Sequence, residues 1–361
     1  MTDTSAVPLE PALEGARNVT KGFLEPFAPT DRLVVFCHFD ADGLAAGAVF
    51  GRALKRLGFT DVRVVPSGRG ESAFSDGARE RLGALGPAGL IVTDLGVNGD
   101  GVLEGVPTLY VDHHRPEGTP AGAAVVSGYG WESVPNSAWL AYELMLPLTN
   151  VDDLGWIAAV GTISDLGEKA PWARLPELRK RYTAKWLKEA VALVNAARRA
   201  SAFDVETPLE LLMTANSPRE LAESPRAERL QAYRAEVNAE LTKARRAAPV
   251  FAQGGPFALL RLASPAQIHP LIAQQWRGRL PEYAVIAANR GYLPGVVAFS
   301  ARTLRDDMKL PEIFQDIDVG GPYDYGHGHD KASGGHLPVG AFNRLLSGLG
   351  FDERAFFGEE A

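Results

Sequence analysis

The sequence predicts an α/β protein with a mostly parallel sheet in its N-terminal domain, a helical linker and a smaller α/β domain at its C-terminus. From Asp31 onward, short apolar runs alternate with helix-like stretches, which is the pattern of a parallel sheet covered on both faces. Between Pro176 and Ala248 the composition shifts to Leu, Ala, Glu, Lys and Arg, which favours helices, and the alternation then resumes. The predicted ranges are 1–29 for an N-terminal arm, 30–217 for the first α/β domain, 218–249 for a linker helix and 250–361 for the smaller domain.

The first domain is predicted from apolar runs of strand length that are separated by helical stretches. The arm before it is rich in Pro, Ala, Gly and Glu, and we expect it to be partly ordered, with room for a short helix. The predicted strands are Leu33–Cys37, Val62–Pro66, Leu90–Thr93, Thr108–Val111 and Ala124–Val126. The predicted helices are Leu44–Leu57, Ser75–Leu85 and Ser137–Leu146. The pair Asn136-Ser137 is expected to supply the N-cap of the third helix.

The rest of the chain is predicted from the same two periodicities. The linker region favours helices at Leu178–Ser201, Pro208–Thr214 and Pro225–Ala247, the last stopped by Pro249. In the smaller domain, alternating apolar residues predict strands at Phe257–Leu262, Tyr283–Asn289 and Val296–Ser300. Helices are predicted there at His269–Leu280, Leu310–Asp316 and Phe342–Leu349.

Composition limits the class of protein. The chain has 361 residues, of which 46% are hydrophobic and 22% charged, an ordinary balance for globular domains. A net charge of −7 argues against a broadly basic surface that coats duplex DNA, and the one cysteine excludes an internal disulfide framework. No secretory leader or membrane-spanning apolar run is visible, so we expect a cytoplasmic protein that does not insert into membranes.

Acids and imidazoles follow four apolar runs of the first domain. The segments that carry them are Cys37–Gly43, Ile91–Gly96, Val111–His114 and Gly161–Gly167. In an open α/β sheet the carboxyl ends of the strands form the ligand-binding edge, and we expect all four segments to end there. The residues predicted to gather in one crevice are His38, Asp40, Asp42, Asp94, Asp112, His113, His114 and Asp165.

Crowded carboxylates need cations. Like charges in contact raise one another's pKa, so five aspartates resist ionising together unless positive charge is supplied. Oxygen ligands with some imidazole suit two divalent ions, Mn²⁺ first and Mg²⁺ as the alternative. Cys37 alternates away from His38, so a cysteine-ligated zinc site is not expected. Two ions about 3.5–4 Å apart can lower the pKa of a shared water and clamp a phosphoryl group for in-line attack.

These motifs resemble the DHH phosphoesterase superfamily, named for a triplet that reads here Asp112-His113-His114. The run from His38 to Gly43 is similar to the family's first motif, in the short spacing of RecJ-like nucleases. Asp94 resembles the second motif and Asp165 the fourth.

The resemblance implies a role for each position. The implied metal ligands are His38, Asp40, Asp42, Asp94, His113 and Asp165. His38 and Asp40 would hold one ion, Asp94 would bridge, and the other three would hold the second ion. His114 would contact the scissile phosphate, while Asp112 would orient an imidazole.

The C-terminal segment Gly326–His336 resembles the substrate-binding motif of the DHH-associated domain. The best match makes His329 the substrate-binding histidine, within a glycine-rich loop whose backbone N–H groups can approach an anion closely. Upstream, Ser300 and Arg302 share one face of a predicted strand, and the resemblance directs them toward a nucleotide phosphate. The implied substrate-binding residues are His329, Arg302, Ser300, Gly328, Gly334 and Gly335. The roles of His327 and His336 stay open.

These observations predict a metal-dependent phosphoesterase. The first hypothesis is a Mn²⁺-dependent phosphodiesterase or exonuclease that hydrolyses single-stranded DNA or RNA, or short oligonucleotides, through water attack assisted by two metals. Alternatives with the same chemistry are a nano-RNase that also dephosphorylates adenosine bisphosphate, and a cyclic-dinucleotide phosphodiesterase. An alternative of another class is a non-catalytic binding module with a DHH-like scaffold. A homodimer is compatible with each of them.

Overall fold

The computed structural model describes residues 7–323 and 325–358. The chain divides into two compact units. The N-terminal unit comprises Met1–Arg198 and Phe203–Gln231, and the C-terminal unit comprises Arg199–Ala202 and Ala232–Ala361. Both units combine helices with a β-sheet, as the sequence predicts. No helix within the described ranges is both long and apolar enough to cross a membrane.

A five-stranded parallel sheet is the centre of the N-terminal unit. Its strands are β1 (Leu33–Cys37), β2 (Val62–Pro66), β3 (Gly89–Thr93), β4 (Thr108–Asp112) and β5 (Ala124–Ser127). They are ordered β2-β1-β3-β4-β5, and every neighbouring pair is parallel. All residues of β1, β3 and β4 are buried, which explains why these strands read as uninterrupted apolar runs.

Helices cover this sheet on both faces. Those of the N-terminal unit are α1 (Leu9–Leu24), α2 (Ala41–Arg56), α3 (Asp76–Gly83), α4 (Ser137–Met145), α5 (Gly155–Leu166), α6 (Leu175–Tyr182), α7 (Ala184–Arg199), α8 (Glu206–Thr214) and α9 (Pro218–Glu223). Phe36 of β1 packs in one core with Leu82 of α3. Cys37 points to the opposite face, where a Cβ on Gly47 of α2 would lie 2.8 Å from its Sγ. The glycine therefore lets α2 pack directly on the sheet.

Three helical predictions need correction. The N-terminal arm is more ordered than expected, because α1 is a 16-residue helix that buries Leu13 and Leu24; residues 1–6 lie outside the described part. The helix predicted over Leu178–Ser201 is two helices, α6 and α7, separated at Thr183, whose φ of 58° is incompatible with a continuous helix. The helix predicted over Pro225–Ala247 is shorter and spans Ala227–Ala244, and the separate helix α9 precedes it.

The C-terminal unit has a six-stranded mixed sheet. Its strands are β6 (Val250–Phe251), β7 (Phe257–Leu262), β8 (Ala284–Asn289), β9 (Val296–Arg302), β10 (Tyr325–His329) and β11 (Ala332–Pro338), in the order β10-β11-β9-β8-β7-β6. The helices are α10 (Ala227–Ala244), which begins in the N-terminal unit, α11 (His269–Arg277), α12 (Leu310–Gln315) and α13 (Val339–Gly348). One core joins the sheet to α10 and α11, and another joins it to α12 and α13.

The glycine-rich segment at the C-terminus was predicted as a loop and is a β-hairpin. Strands β10 and β11 pair antiparallel, and β11 pairs with β9. A Cβ on Gly328 would lie 2.3 Å from the Ala332 carbonyl oxygen, and one on Gly334 would lie 2.6 Å from that of Phe299. Both glycines therefore allow the strands to approach closely, and Gly328 also adopts a positive φ of 131°. The side chain of His327 lies outside the described part of the structure.

Candidate metal centre

Three strands of the parallel sheet end side by side. Cys37 of β1 is in register with Thr93 of β3, and Thr93 is in register with Val111 of β4. The pairing continues for one more step, because the His38 amide donates to the Thr93 carbonyl oxygen at 3.2 Å. The strand order reverses between β1 and β3, which is the switch point where open α/β sheets bind ligands. The polar residues that follow β1 and β3 therefore emerge at this point.

Asp94 lies at the centre of the cluster and is 4% exposed. Its Oδ2 is 3.5 Å from Nδ1 of His38, whereas its Oδ1 is 3.3 Å from Nε2 of His113. The Ser137 hydroxyl donates to Oδ1 at 3.0 Å. Asp94 also adopts a positive φ of 64°, a strained backbone that often marks functional positions. One carboxylate thus faces a different imidazole with each oxygen.

The start of α2 presents two aspartates to the cluster. Asp40 is the N-cap, and its Oδ1 accepts from the amides of Asp42 and Gly43 at 3.0 and 3.1 Å. The same oxygen is 3.3 Å from Nδ1 of His38. A Cβ on Gly43 would lie 2.5 Å from the Cβ and carbonyl oxygen of His38, so only glycine allows the helix to begin this close to β1. The backbone therefore brings Asp40 and His38 together.

Asp42 is held by the N-terminus of α4. Its carboxylate accepts from the amides of Ser137 and Ala138, at 3.0 and 2.8 Å, and from the Asn136 side chain. Unpaired N–H groups at a helix start favour an anion, which explains how this carboxylate tolerates being 2% exposed. Its Oδ2 is 3.8 Å from Nε2 of His113.

Asp165 reaches the cluster from a helix, and the prediction that it follows a strand was wrong. The apolar stretch from Trp156 to Ile163 forms most of α5, and Asp165 lies in its last turn. Its Oδ2 is 3.9 Å from Nε2 of His113. A Cβ on Gly161 would lie 2.4 Å from Cβ of Ala138 and 3.0 Å from Oδ1 of Asp42, so glycine is needed for this packing. An acid at the negative end of a helix dipole favours a nearby cation.

Asp112 orients His114 and does not enter the central group. Its Oδ1 is 3.0 Å from Nδ1 of His114 and accepts from the His114 amide at 2.6 Å. Its Oδ2 accepts from the Gly96 amide at 2.8 Å. The buried Asp112 thus fixes an imidazole whose side chain is 46% exposed. This arrangement leaves Nε2 of His114 available to a ligand.

Burial and charge act in opposite directions on the two central histidines. Burial lowers the pKa of His38, but the carboxylates of Asp40 and Asp94 outweigh it and raise the pKa to about 10. Burial also lowers the pKa of His113, and Asp94 with Asp42 outweighs it to raise the pKa to about 10. Without another cation, the imidazolium ions are the counter-charges of this acidic cluster.

The carboxylates respond unequally to the same surroundings. Burial raises the pKa of Asp94, but hydrogen bonds from His113 and His38 hold it well below its usual range. Burial and the nearby Asp94 hold the pKa of Asp42 well above its usual range. Burial also raises the pKa of Asp165, where His113 opposes the effect and Asp94 adds to it. The two imidazolium groups therefore supply too little positive charge to keep all of these carboxylates ionised.

The donor atoms fit divalent cations. Three sets of residues place one ligand atom each within 4.8 Å of one another: His38, Asp40 and Asp94; Asp42, His113 and Asp165; and Asp94, His113 and His114. Asp94 belongs to the first and third sets, and His113 to the second and third. Carboxylate oxygens with imidazole nitrogens are the ligand types of Mn²⁺ or Mg²⁺. Thiolate does not contribute, because burial raises the pKa of Cys37 beyond that of an ordinary thiol.

The predicted substrate-binding residues lie together on the C-terminal sheet. Arg302 donates through Nη1 to the Ser300 hydroxyl and the Ala301 carbonyl oxygen, both at 2.8 Å. Burial lowers the pKa of Arg302. Gly334 is in register with Ser300 on the next strand, and the exposed His329 ends β10. The backbones of Gly328 and Gly335 belong to the same hairpin, and His336 is exposed on β11.

Sequence reasoning missed three residues that position the acids. The pair Asn136-Ser137 was predicted to supply an N-cap, yet the Asn136 side chain makes no capping bond to α4 and donates to Asp42 instead. The Thr162 hydroxyl donates to Oδ1 of Asn136 at 3.0 Å, and all three residues, Asn136, Ser137 and Thr162, are fully buried. The signal was an Asn-Ser pair before an apolar helix, which is equally typical of a simple helix start.

No profile of a known protein family matches this chain. Among curated proteins, the single-stranded-DNA-specific exonuclease RecJ of Haemophilus influenzae is 30% identical over 182 residues. That alignment covers 43% of this chain and 32% of the relative, so the chain matches about a third of the relative's length.

Solved structures resemble the fold over nearly the whole chain. RecJ from Thermus thermophilus in complex with Mn²⁺ gives a TM-score of 0.70 at 20% identity, covering 96% of this chain and 55% of that one. An exonuclease RecJ bound to manganese gives 0.64 at 20% identity and covers 93% of both chains. At these identities the likeness establishes a common fold.

Proposed function

We propose that this chain is a RecJ-like member of the DHH phosphoesterase superfamily, and that it is a metal-dependent phosphodiesterase that removes nucleotides from an end of single-stranded nucleic acid. The observation that carries the proposal is Asp94, whose two carboxylate oxygens face His38 and His113 separately, at 3.5 and 3.3 Å. A carboxylate in that position is suited to bridge two ions. Two ions sharing a bridge are a common feature of phosphodiester hydrolysis.

The proposed ligands follow the geometry of the cluster. His38 and Asp40 would hold one ion, and Asp42, His113 and Asp165 would hold the other. Within each set, the donor atoms lie within 4.8 Å of one another. The pKa values of Asp42 and Asp165 are raised by removal from water and, after that, by the nearby Asp94 carboxylate, and a bound cation would offset both effects.

Bound divalent ions would supply a nucleophilic water at neutral pH and neutralise charge on the phosphoryl group. The chain's own residues orient the reaction. Burial lowers the pKa of His114, but the Asp112 carboxylate at Nδ1 outweighs it and raises the pKa, so the protonated ring would donate from Nε2 to a phosphate oxygen. Asn136 and the N-terminus of α4 keep Asp42 in place, so its carboxylate does not have to reorganise when substrate binds.

The C-terminal unit would bind the nucleotide. The Arg302 guanidinium uses Nη1 for the Ser300 hydroxyl and the Ala301 carbonyl, which fixes its plane and leaves Nη2 for phosphate oxygens. His329 at the end of β10 would add an imidazole donor. Gly328, Gly334 and Gly335 would let backbone N–H groups approach the same anion.

The substrate class is tested by a panel of phosphodiesters with Mn²⁺. The panel consists of single-stranded DNA and RNA of graded length with a phosphate or a hydroxyl at the 5′ end, together with pApA, cyclic di-AMP and adenosine bisphosphate. We expect stepwise release of mononucleotides from the single strands, inhibition by chelator, and no product with the Asp94→Ala variant. The Haemophilus influenzae relative is named as specific for single-stranded DNA, which supports testing DNA strands first.

Other outcomes separate the alternatives. Hydrolysis confined to pApA and adenosine bisphosphate identifies a nano-RNase with phosphatase activity, and hydrolysis confined to cyclic di-AMP identifies a cyclic-dinucleotide phosphodiesterase. Binding of single strands without hydrolysis of any substrate, in Mn²⁺ or Mg²⁺, contradicts the proposal and favours the non-catalytic scaffold.

A further inference from the structure

We propose that Tyr129 is a stacking platform for a nucleobase next to the scissile phosphate. The inference rests on the proposed function and adds a substrate contact in the N-terminal unit. Tyr129 lies on the segment between β5 and α4, residues Gly128–Pro135, here called the β5–α4 turn. The side chain is 49% exposed, among the most exposed large apolar side chains of the described residues.

The β5–α4 turn is anchored to the candidate metal centre at both ends. At its beginning, the Gly128 amide donates to the carbonyl oxygen of Asp112 at 2.8 Å, and the Asp112 carboxylate orients His114. Immediately after its end come Asn136 and Ser137, which contact Asp42 and Asp94. Tyr129 is therefore one residue from a direct backbone contact with Asp112, the residue that orients His114.

The distance between the ends of β3 and β5 is consistent with a base contact at Tyr129. Strand β5 lies beside β4, which lies beside β3, and Asp112 is in register with Ser127. Two strand spacings separate the end of β3, which carries Asp94, from the end of β5, or about 10 Å. A nucleotide that flanks a phosphate held at Asp94 can reach that far.

Backbone hydrogen bonds support the turn. The Trp131 amide donates to the Gly128 carbonyl oxygen at 3.2 Å, closing the turn around Tyr129. The backbone of Val7 bridges it from outside, donating to Gly130 at 3.1 Å and accepting from Glu132 at 2.7 Å. A Cβ on Gly128 would lie 3.0 Å from Cγ of Pro135, which keeps the base of the turn compact. An exposed aromatic on a rigid support loses little entropy when it binds a ligand.

The apolar character of this surface suits a base. Val134 lies in the β5–α4 turn and is 38% exposed. Val7, whose backbone bridges Trp131 of the same turn, is 49% exposed. Every nucleobase offers a π face, so stacking on one tyrosine holds the strand without reading its sequence.

The test compares Tyr129→Phe, Tyr129→Leu and Tyr129→Ala on two kinds of strand. One is an ordinary single strand, and the other carries one abasic nucleotide placed at each of the first three positions in turn. KM and kcat are measured with Mn²⁺, and affinity is measured separately by fluorescence anisotropy in an Asp94→Ala background. Thermal melting checks that the variants are folded.

We expect Tyr129→Ala and Tyr129→Leu to weaken binding of the ordinary strand at least fivefold, mainly as a rise in KM, since stacking is worth about 1–3 kcal/mol per base. Tyr129→Phe should stay within twofold of the wild type because it keeps the ring. At one abasic position the wild type should bind as weakly as Tyr129→Ala.

Each outcome decides the matter. If the wild type hydrolyses strands but all three variants bind the ordinary strand equally well, the stacking role is refuted and the proposed function stands. If leucine replaces tyrosine without loss, apolar cover rather than stacking is responsible, and the inference is wrong. If the wild type hydrolyses nothing, the proposed function fails, while the anisotropy series still upholds or refutes the stacking contact.

Discussion

Replacing Asn136 by alanine tests how the cluster is supported. Asn136 is fully buried, donates to the Asp42 carboxylate and accepts from the Thr162 hydroxyl. The change removes a hydrogen bond to the buried Asp42 carboxyl group and leaves the Thr162 hydroxyl without this acceptor, and each buried polar group that loses its partner costs about 1–3 kcal/mol. We therefore expect the free energy of unfolding of the metal-free protein to fall by about 3 kcal/mol, which lowers Tm by roughly 6–12 °C for a unit of this size.

The same variant should bind Mn²⁺ more weakly. Asp42 loses the donor that fixes its orientation, and removing a partner that orients a metal ligand typically costs about 10–100-fold in affinity. Denaturation followed by circular dichroism and Mn²⁺ titration by calorimetry measure the two effects. Asn216→Ala is the matched control, because Asn216 is exposed and its side chain donates to the exposed Glu220, so its effect should stay within about 0.5 kcal/mol.

A double-mutant cycle with Thr162→Val sharpens the test. In Asn136→Ala the hydroxyl of Thr162 has already lost its acceptor, so removing it should cost less than in the wild type. Additive costs would mean that the two side chains act independently. An Asn136→Ala variant with unchanged Tm and unchanged Mn²⁺ affinity would refute the positioning role altogether.

Three further predictions concern the two sites. Asp94→Ala should abolish Mn²⁺-dependent hydrolysis with an unchanged circular dichroism spectrum, because the proposed bridge is lost; a fully active variant contradicts bridging. His329→Ala should raise KM for strands at least fivefold and leave Mn²⁺ affinity unchanged; loss of Mn²⁺ instead means that the C-terminal hairpin is misassigned. Mn²⁺ binding at pH 8 should release protons, because the pKa values of His38 and His113 are raised to about 10 in the metal-free protein and ligation needs neutral imidazole. Affinity should therefore rise with pH between 7 and 9, and calorimetric heats that do not depend on the buffer would contradict proton release.

The strands of the parallel sheet were predictable for a physical reason. The residues of β1, β3 and β4 are buried on both faces, so these strands appear in the sequence as almost continuous apolar runs. The polar residues that follow these runs mark the carboxyl edge directly, which is why His38 and Asp94 could be expected near each other. Ranges for β1, β2 and β7 match the structure residue for residue.

Where the prediction failed, the sequence pattern is compatible with two different structures. The apolar stretch before Asp165 belongs to a helix buried on all sides, and a short run of that kind cannot be distinguished from a buried strand by periodicity. The glycines near His329 suit a loop or a close hairpin equally, and only contact with β9 decides between them. The positioning role of Asn136 depends on Asp42 and Thr162, which are remote in sequence, so local pattern could not reveal it.

The surroundings of Asp42 in the candidate metal centre cannot form from one segment of the chain alone. Asp42 begins α2, is gripped by the start of α4, and lies beside Gly161 of α5. None of these contacts exists until the three helices have docked on the sheet. Ions that bind only the docked form would draw the folding equilibrium toward it, and would therefore stabilise this unit against unfolding and against proteolysis of the unfolded chain. Chelation should accordingly leave a chain that a protease cuts faster, even where no cleavage site is near an acid.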